Sequence, residues 1–252
     1  MRLWQREQGA VSLRIEAGDA KNPKTGEWVK LGLPFGSKPR LILAHLNAEA
    51  LRQGSPAVNV GDSLTGFVKR IRKFKGGREV RMFKDQLGRL SASLIRLAYT
   101  RDGRGTQIDT KIVAGFDLWF PRDERQRVLW PSIVRLSLDY FESLQKHAVP
   151  LDERALAALA HSALALDIYA WLAQRLHRID PAKPQFITWV SLKEQFGPGY
   201  ARMRAFRANF NQTLDAVLTQ YRAARIEVGE QGMTLRRSQP PVLKGPMLIS
   251  RR

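Results

Sequence analysis

The chain has 252 residues, with 42 Lys and Arg against 23 Asp and Glu, and a formal net charge of +19 at pH 7. This length accommodates one or two domains, and 44% hydrophobic with 26% charged residues describes a globular chain rather than a disordered one. The absence of cysteine excludes disulfides, a thiol nucleophile and a Cys-ligated metal, and the charge asks for a polyanion without choosing between DNA and RNA.

In chain order, Val11-Ser12-Leu13-Arg14-Ile15 alternates as a strand does, Asn22-Pro23-Lys24-Thr25-Gly26 is turn chemistry, and Trp28-Val29-Lys30-Leu31 reads as the returning strand. Ser37 is the expected N-cap of a helix through Leu41, Ile42, His45, Leu46 and Ala50 to Gly54. A second helix is expected from Asp62 or Ser63, carrying Leu64, Phe67, Val68 and Ile71. Val80, Phe83, Leu87, Leu90, Leu94 and Leu97 form one apolar stripe at helical spacing, with Arg78, Arg81, Asp85, Arg89, Ala92 and Arg96 opposite. Tyr99-Thr100, the turn Arg101–Gly105 and Thr106–Val113 then read as a β-hairpin with a basic tip.

The second half begins with a short strand at Ile133–Leu136 and a helix from Ser137 to His147. Asp152 is placed to cap a helix through Leu156 and Leu159, and Leu166, Tyr169, Leu172, Arg175 and Leu176 mark another that ends before Pro181. Phe186–Trp189 is strand-like, Val190–Phe196 is a short helix, and Gly197-Pro198-Gly199 stops it. Tyr200, Met203, Phe206, Phe210, Leu214, Val217, Leu218 and Tyr221 define a long amphipathic helix, and residues 225–235 a closing hairpin.

The halves share an order: helix, second helix started by Ser-Leu, glycine break, long Arg-bearing helix, hairpin. That is the order of a winged helix-turn-helix. The expected fold is therefore α+β, with two tandem winged helix-turn-helix domains. The polar run Pro121–Arg127 before Trp130-Pro131 places their boundary at 130/131, giving domains 1–130 and 131–252. The first carries 25 basic and 13 acidic residues and the second 17 and 10, so neither owns the charge.

The long helix of the second domain turns Arg204, Ala205, Ala208, Asn209 and Gln212 away from its apolar stripe, with Arg202 and Arg207 on the shoulders. Small residues let a backbone approach a major groove, Arg forks onto guanine, and Asn or Gln pairs with adenine. These seven are the base-reading candidates. In the first domain Lys69, Arg70, Arg72, Lys73, Lys75, Arg78, Arg81 and Lys84 put eight cations into 16 residues with Glu79 as the single acid. Cations ahead of a helix N-terminus suit phosphate contacts, and Arg81, Asp85 and Arg89 would add a second groove contact. Arg101 and Arg104 on one hairpin, and Arg225, Arg236 and Arg237 on the other, are the wing candidates.

Enzymatic constellations are missing. His45, His147, His161 and His177 form no metal-binding pair, and no Asp-x-Asp exists to hold magnesium. The run Gly32-Leu33-Pro34-Phe35-Gly36-Ser37-Lys38 has one residue too few for a phosphate loop, with Ser before Lys. No catalytic residue, metal or cofactor is expected. No run approaches about 18 apolar residues, and Met1–Glu7 is no secretory signal, so a cytoplasmic protein without a membrane partner is the expectation.

Several runs resemble plasmid replication initiator proteins of the RepA type: Gly32–Arg40, Gly61-Asp62-Ser63-Leu64, Leu129-Trp130-Pro131-Ser132 with Arg135-Leu136-Ser137, Val149-Pro150-Leu151-Asp152, Leu164–Leu172, and Gln195-Phe196-Gly197. In order, they cover roughly residues 30–240. The resemblance implies two winged-helix domains binding repeated duplex sites, called iterons, at a plasmid origin. It implies association with the plasmid or nucleoid, recruitment of host helicase and initiator proteins, a copy-control role through repression of the protein's own promoter, and a homodimer through the first domain. No active site comes with it. The reading that results is an initiator gripping phosphates with its first domain and reading sequence with its second. A sequence-specific repressor without initiator role is the alternative, and an RNA-binding protein is a further one.

Overall fold

A computed structural model of the chain describes residues 2–8, 10–21, 25–60, 66, 77–101, 104–116 and 133–242. It mixes helix and strand, and divides into two units, Met1–Ala148 and Val149–Arg252.

The first unit opens with strands β1 (Leu3–Gln8), β2 (Val11–Glu16), β3 (Asp19–Lys21) and β4 (Trp28–Lys30). The strand expected at 11–15 is β2, but its partners are β1 and a later strand, β6 (Leu94–Arg101); the returning segment β4 pairs with β3 instead. Helix α1 (Ser37–Gln53) buries Leu41, Ile42, His45, Leu46 and Ala50. Its N-cap position is Gly36 and not Ser37, so no side chain caps it; the αL residue Gly54 (φ 63°) ends it, returning its N–H to the carbonyls of Ala50 and Leu51. After β5 (Ala57–Asn59) comes α2 (Gly77–Ala92), which buries Phe83, Leu87 and Leu90. The helix expected from residue 62 lies outside the described residues, Gly66 apart.

The stripe from Val80 to Leu97 does not remain helical. Ser93 closes α2 by donating its N–H to the Leu90 carbonyl and its hydroxyl to the Arg89 carbonyl. Leu94 and Leu97 belong to β6, which pairs in full register with β2 on one side and β7 (Arg104–Thr110) on the other. The expected basic-tipped hairpin is β6–β7, closed by Arg101 opposite Arg104. The sheet order is β1-β2-β6-β7, all antiparallel.

A second sheet of this unit runs β5-β9-β8, with β8 (Val113–Phe116) and β9 (Ile133–Leu136). Residues 133–147 are thus part of the first unit, and the expected division at 130/131 moves to 148/149. The reason is pairing: β9 is the central strand between β5 and β8. The helix after it, α3 (Leu138–His147), is capped by Ser137, which also anchors to Ile112 and Lys111 carbonyls, and Tyr140 reaches Asn47 of α1 at 3.0 Å.

The second unit follows its sequence closely. Asp152 caps α4 (Glu153–Leu159), Ser162 caps α5 (Ala163–Arg175), and a 3-10 turn (Leu176–Arg178) follows. Strand β10 (Gln185–Thr188) leads into α6 (Trp189–Phe196), capped by Thr188. After the Gly-Pro-Gly turn, α7 (Met203–Gln220) buries Phe206, Phe210, Leu214 and Val217, and β11 (Arg225–Val228) and β12 (Gly232–Arg236) form the hairpin. β10 joins that hairpin in the order β10-β12-β11. The core is aromatic: Phe210 contacts Trp189, Phe196 and Phe206 at 5.9, 5.6 and 5.4 Å between ring centroids.

Candidate nucleic-acid interface

Helix α7 owes its position to the aromatic core, and the same packing fixes which face it turns outward. With Phe206, Phe210, Leu214 and Val217 buried, Arg204, Ala205, Ala208 and Gln212 are exposed in one band. Asn209 is half-buried beside them, and Arg202 occupies the N-cap position, exposed. Among the described residues the side chain of neither Arg202 nor Arg204 has a hydrogen-bond or ion-pair partner, so both guanidinium groups are available to a ligand. Arg207 differs. Its guanidinium carbon sits 4.9 Å from the centroid of the Trp189 ring.

Trp189 was not singled out by the sequence, and no spacing links it to Arg207 18 positions away. It starts α6, lies 4% exposed, and donates its indole N–H to the Gly229 carbonyl at 3.0 Å. Its backbone N–H donates to the Gln231 carbonyl at 3.2 Å. The turn of the β11–β12 hairpin is thereby tied to the start of α6. A Cβ on Gly232 would run into the Ile187 carbonyl and the Phe186 ring, so the close pairing of β10 with β12 depends on glycine there.

The hairpin cations separate into two kinds. Arg236 forks onto Glu227, with Nε–Oε1 at 2.7 Å and Nη2–Oε2 at 3.3 Å, and this hydrogen bonding lowers the Glu227 carboxyl below its ordinary range. Arg225 and Arg237 are exposed. The turn itself carries Glu230 and Gln231, so the positive charge sits at the base of the hairpin.

In the first unit, α2 presents Arg81 to solvent. Asp85 and Arg89 are joined to each other at 2.9 Å. Arg89 also stacks on Phe35 at 5.3 Å and donates to the Leu33 carbonyl at 3.5 Å, while Gln86 accepts the Phe35 N–H at 2.8 Å. Arg89 and Gln86 thus hold the Gly32–Gly36 segment against α2, and Asp85 orients both by accepting from the Gln86 amide at 3.0 Å and from Arg89. Lys38 approaches Glu79 at 3.5 Å, tying the start of α1 to the same helix. Arg96, expected on the outer face of the helix, lies on β6 and bridges Glu16 at 2.6 Å and Asp109 at 3.3 Å. Lys69, Arg70, Arg72, Lys73 and Lys75 lie outside the described residues, as do the side chains of Arg78, Lys84, Arg101 and Arg104.

Two buried phenols lie behind α7. Tyr221 and Tyr169 meet edge-on at 6.2 Å; burial, with the neighbouring phenol, pushes Tyr221 up to about 12. Its hydroxyl donates to the Gln239 carbonyl at 2.6 Å, and Tyr169 accepts the Asp152 N–H at 3.1 Å. These are structural groups. Among the described residues no three His, Asp or Glu side chains gather as a metal site requires, and no helix is long and apolar enough to cross a membrane.

Two crystal structures of RctB domains 2 and 3 share the fold. One, of RctB residues 155–483, superposes with a TM-score of 0.58 at 10% identity over 95% of this chain and 92% of its own. The other, a selenomethionine derivative, gives 0.60 at 11% identity over 95% and 93%. No curated protein matches the chain. The sequence profile described as plasmid-encoded RepA protein matches residues 33–191, beginning within the Gly32–Arg40 run and ending inside α6, ahead of α7. More than half of the chain is covered, and it belongs to the family of plasmid-encoded RepA proteins, the RepA-type plasmid replication initiators.

Proposed function

We propose that the protein initiates replication by binding repeated duplex DNA sites, iterons, at its plasmid's origin, through two winged helix-turn-helix domains, without catalysing a reaction itself. The observation that carries this reading is the outward band of α7. Arg204, Ala205, Ala208 and Gln212 lie exposed on a helix held rigid by an aromatic core, and Arg204 has no partner among the described residues. The order α5, β10, α6, α7, β11–β12, with β10 completing the hairpin sheet, supports the winged reading of the second unit. In the first unit the hairpin β6–β7 also follows its long helix, though it pairs with β2.

In this mechanism α7 enters the major groove, and Arg202, Arg204, Asn209 and Gln212 meet base edges or adjacent phosphates. Arg225 and Arg237 approach the backbone beside the hairpin. The first unit grips phosphates through Lys69–Lys84 and Arg81, and supplies the homodimer interface. Several copies on tandem sites strain the adjoining AT-rich duplex, so cooperative binding and DNA bending supply the energy of opening. Host helicase and initiator proteins are then recruited, in the cytoplasm on the plasmid itself, and binding at the protein's own promoter gives copy control.

The test is equilibrium binding to origin-repeat and scrambled duplexes at ~150 mM salt. A preference for the repeats is expected, and equal affinity for both rejects the proposal. Arg204→Ala is expected to cost about 1–3 kcal/mol on the repeats and relax one base position. Lys73→Ala is expected to weaken both duplexes alike and reduce the salt slope by about one.

A further inference from the structure

We infer that Arg207 is a preset phosphate contact and not a base reader, and that Trp189 is the positioning residue holding it in register with the hairpin turn. This rests on the reading of α7 as the groove helix and assigns its shoulder a separate task.

Arg207 lies three residues after Arg204, about 60° around α7 from it, between the exposed band and the buried stripe. There its guanidinium is stacked on Trp189 at 4.9 Å. The indole cannot yield. It is 4% exposed, Phe210 meets it edge-on at 5.9 Å, and its N–H is fixed on the Gly229 carbonyl at 3.0 Å. A cation stacked on a fixed ring has lost most of its rotamer freedom before any ligand arrives.

Its hydrogen-bonding capacity is nevertheless intact. Among the described residues the Arg207 side chain has no ion pair and no hydrogen bond, so the donors at the edge of the guanidinium have no acceptor. A second stacked arginine in this unit shows the contrast. Arg175 lies over Trp171 at 5.6 Å, but donates to Gln185 Oε1 at 2.9 Å and is committed inside the fold. A stacked, unpaired guanidinium fits an anion that takes a two-pronged donor, which a phosphate diester does. Reading a base edge requires a side chain that extends into the groove floor, as Arg204 can and Arg207, held sideways on the ring, cannot.

Trp189 adds the link to the hairpin. Its indole N–H holds the Gly229 carbonyl and its backbone N–H the Gln231 carbonyl, so one residue sets both the Arg207 guanidinium and the turn between β11 and β12. The distance between two backbone-facing elements is thus fixed before binding, which lowers the ordering cost of the complex.

The experiment uses the full chain and two probes: a duplex enriched by the wild-type chain from a randomised pool, and a scrambled duplex of equal composition. Affinities are measured across a salt series, with thermal unfolding as a control for folding. Arg207→Ala is expected to weaken binding to both duplexes by the same factor, leave their ratio unchanged, and make the salt slope shallower by about one. Trp189→Phe retains a ring against Phe210 but removes the indole donor; it is expected to weaken both duplexes, and the double variant to be less than additive. Arg204→Ala is expected to lower the ratio about tenfold. Loss of the ratio in Arg207→Ala, or an unchanged slope, overturns the inference whether or not Trp189→Phe folds. A wild-type chain that enriches no sequence rejects the groove reading instead, and the Arg207 slope is still read on the random pool.

Discussion

The two long helices, α2 and α7, differ in how their arginines and those around them are engaged. In the first unit, Arg89 clamps Asp85, Phe35 and the Leu33 carbonyl, Arg96 bridges Glu16 and Asp109, and Arg2 holds Asp19. On α7, Arg204 stands free, and Arg207 is stacked but unpaired. The units differ in packing too. Among the residues of the four-stranded sheet β1-β2-β6-β7 whose side chains are described, none is buried, although Trp4, Leu13, Ile15, Ile95 and Leu97 share one of its faces. The second unit buries Trp189, Phe206 and Phe210 in one aromatic cluster, and Tyr169 and Tyr221 as a second edge-on pair. A count of positive charges therefore says little about where a polyanion binds. What matters is how many of those charges the fold has already engaged.

The packing contrast is tested most strongly by truncation. Phe210→Ala should cost about 3–5 kcal/mol in urea unfolding, because it empties the centre of the aromatic cluster. Leu97→Ala, on the half-buried sheet, should cost roughly 1–2 kcal/mol, since less apolar area leaves the interior. Equal costs would mean that the sheet is as well packed as the cluster. The arginine contrast comes next. Arg89→Ala should destabilise by about 1–2 kcal/mol through loss of its stack, its ion pair and its carbonyl contact. Arg204→Ala should stay within about 0.5 kcal/mol of wild type, as an unengaged surface residue does.

A third test isolates the buried phenols. Because Tyr221 is raised to about 12, the native state keeps a proton that the unfolded chain releases near 10. Its contribution is complete below about pH 10 and is lost as pH rises toward 12. Tyr221→Phe should flatten that alkaline decline and cost about 1 kcal/mol at neutral pH through the lost bond to Gln239. The smallest effect is expected from Arg236→Ala. Its pair with Glu227 is exposed, and no measurable shift in the thermal midpoint should follow; a clear shift would place the hairpin base among the structural arginines.

Local codes were legible in the sequence where a side chain acts within one turn of itself. Ser137 and Asp152 cap the helices that their positions announce, and Gly54 ends α1. The buried stripe and exposed band of α7 follow from periodicity alone. Pairing was not legible, because strand partners are chosen by surfaces far away in the chain. Leu94 and Leu97 continue a helical spacing by coincidence, and pairing of β6 with β2 on one side and β7 on the other makes them strand. The same limit hid the roles of Arg89 and Trp189, whose partners lie 54 to 56 and 18 to 42 positions away. Among the described runs that carry the RepA resemblance, Leu164–Leu172 lies wholly within α5 and Val149–Asp152 ends on the cap of α4.

The position of β9 has a consequence for how the chain comes into being. The sheet β5-β9-β8 has as its middle strand the one made last, at residues 133–136. Neither flanking strand can pair through it until the ribosome has passed that point, so α1 and α2 must wait with an open sheet between synthesis of residue 59 and residue 136. Folding of the first unit is accordingly governed by a late, long-range closure and should be slow for its size. A fragment ending at residue 130 would lack the strand on which both others hang. A fragment ending at residue 148 would contain everything that closure needs.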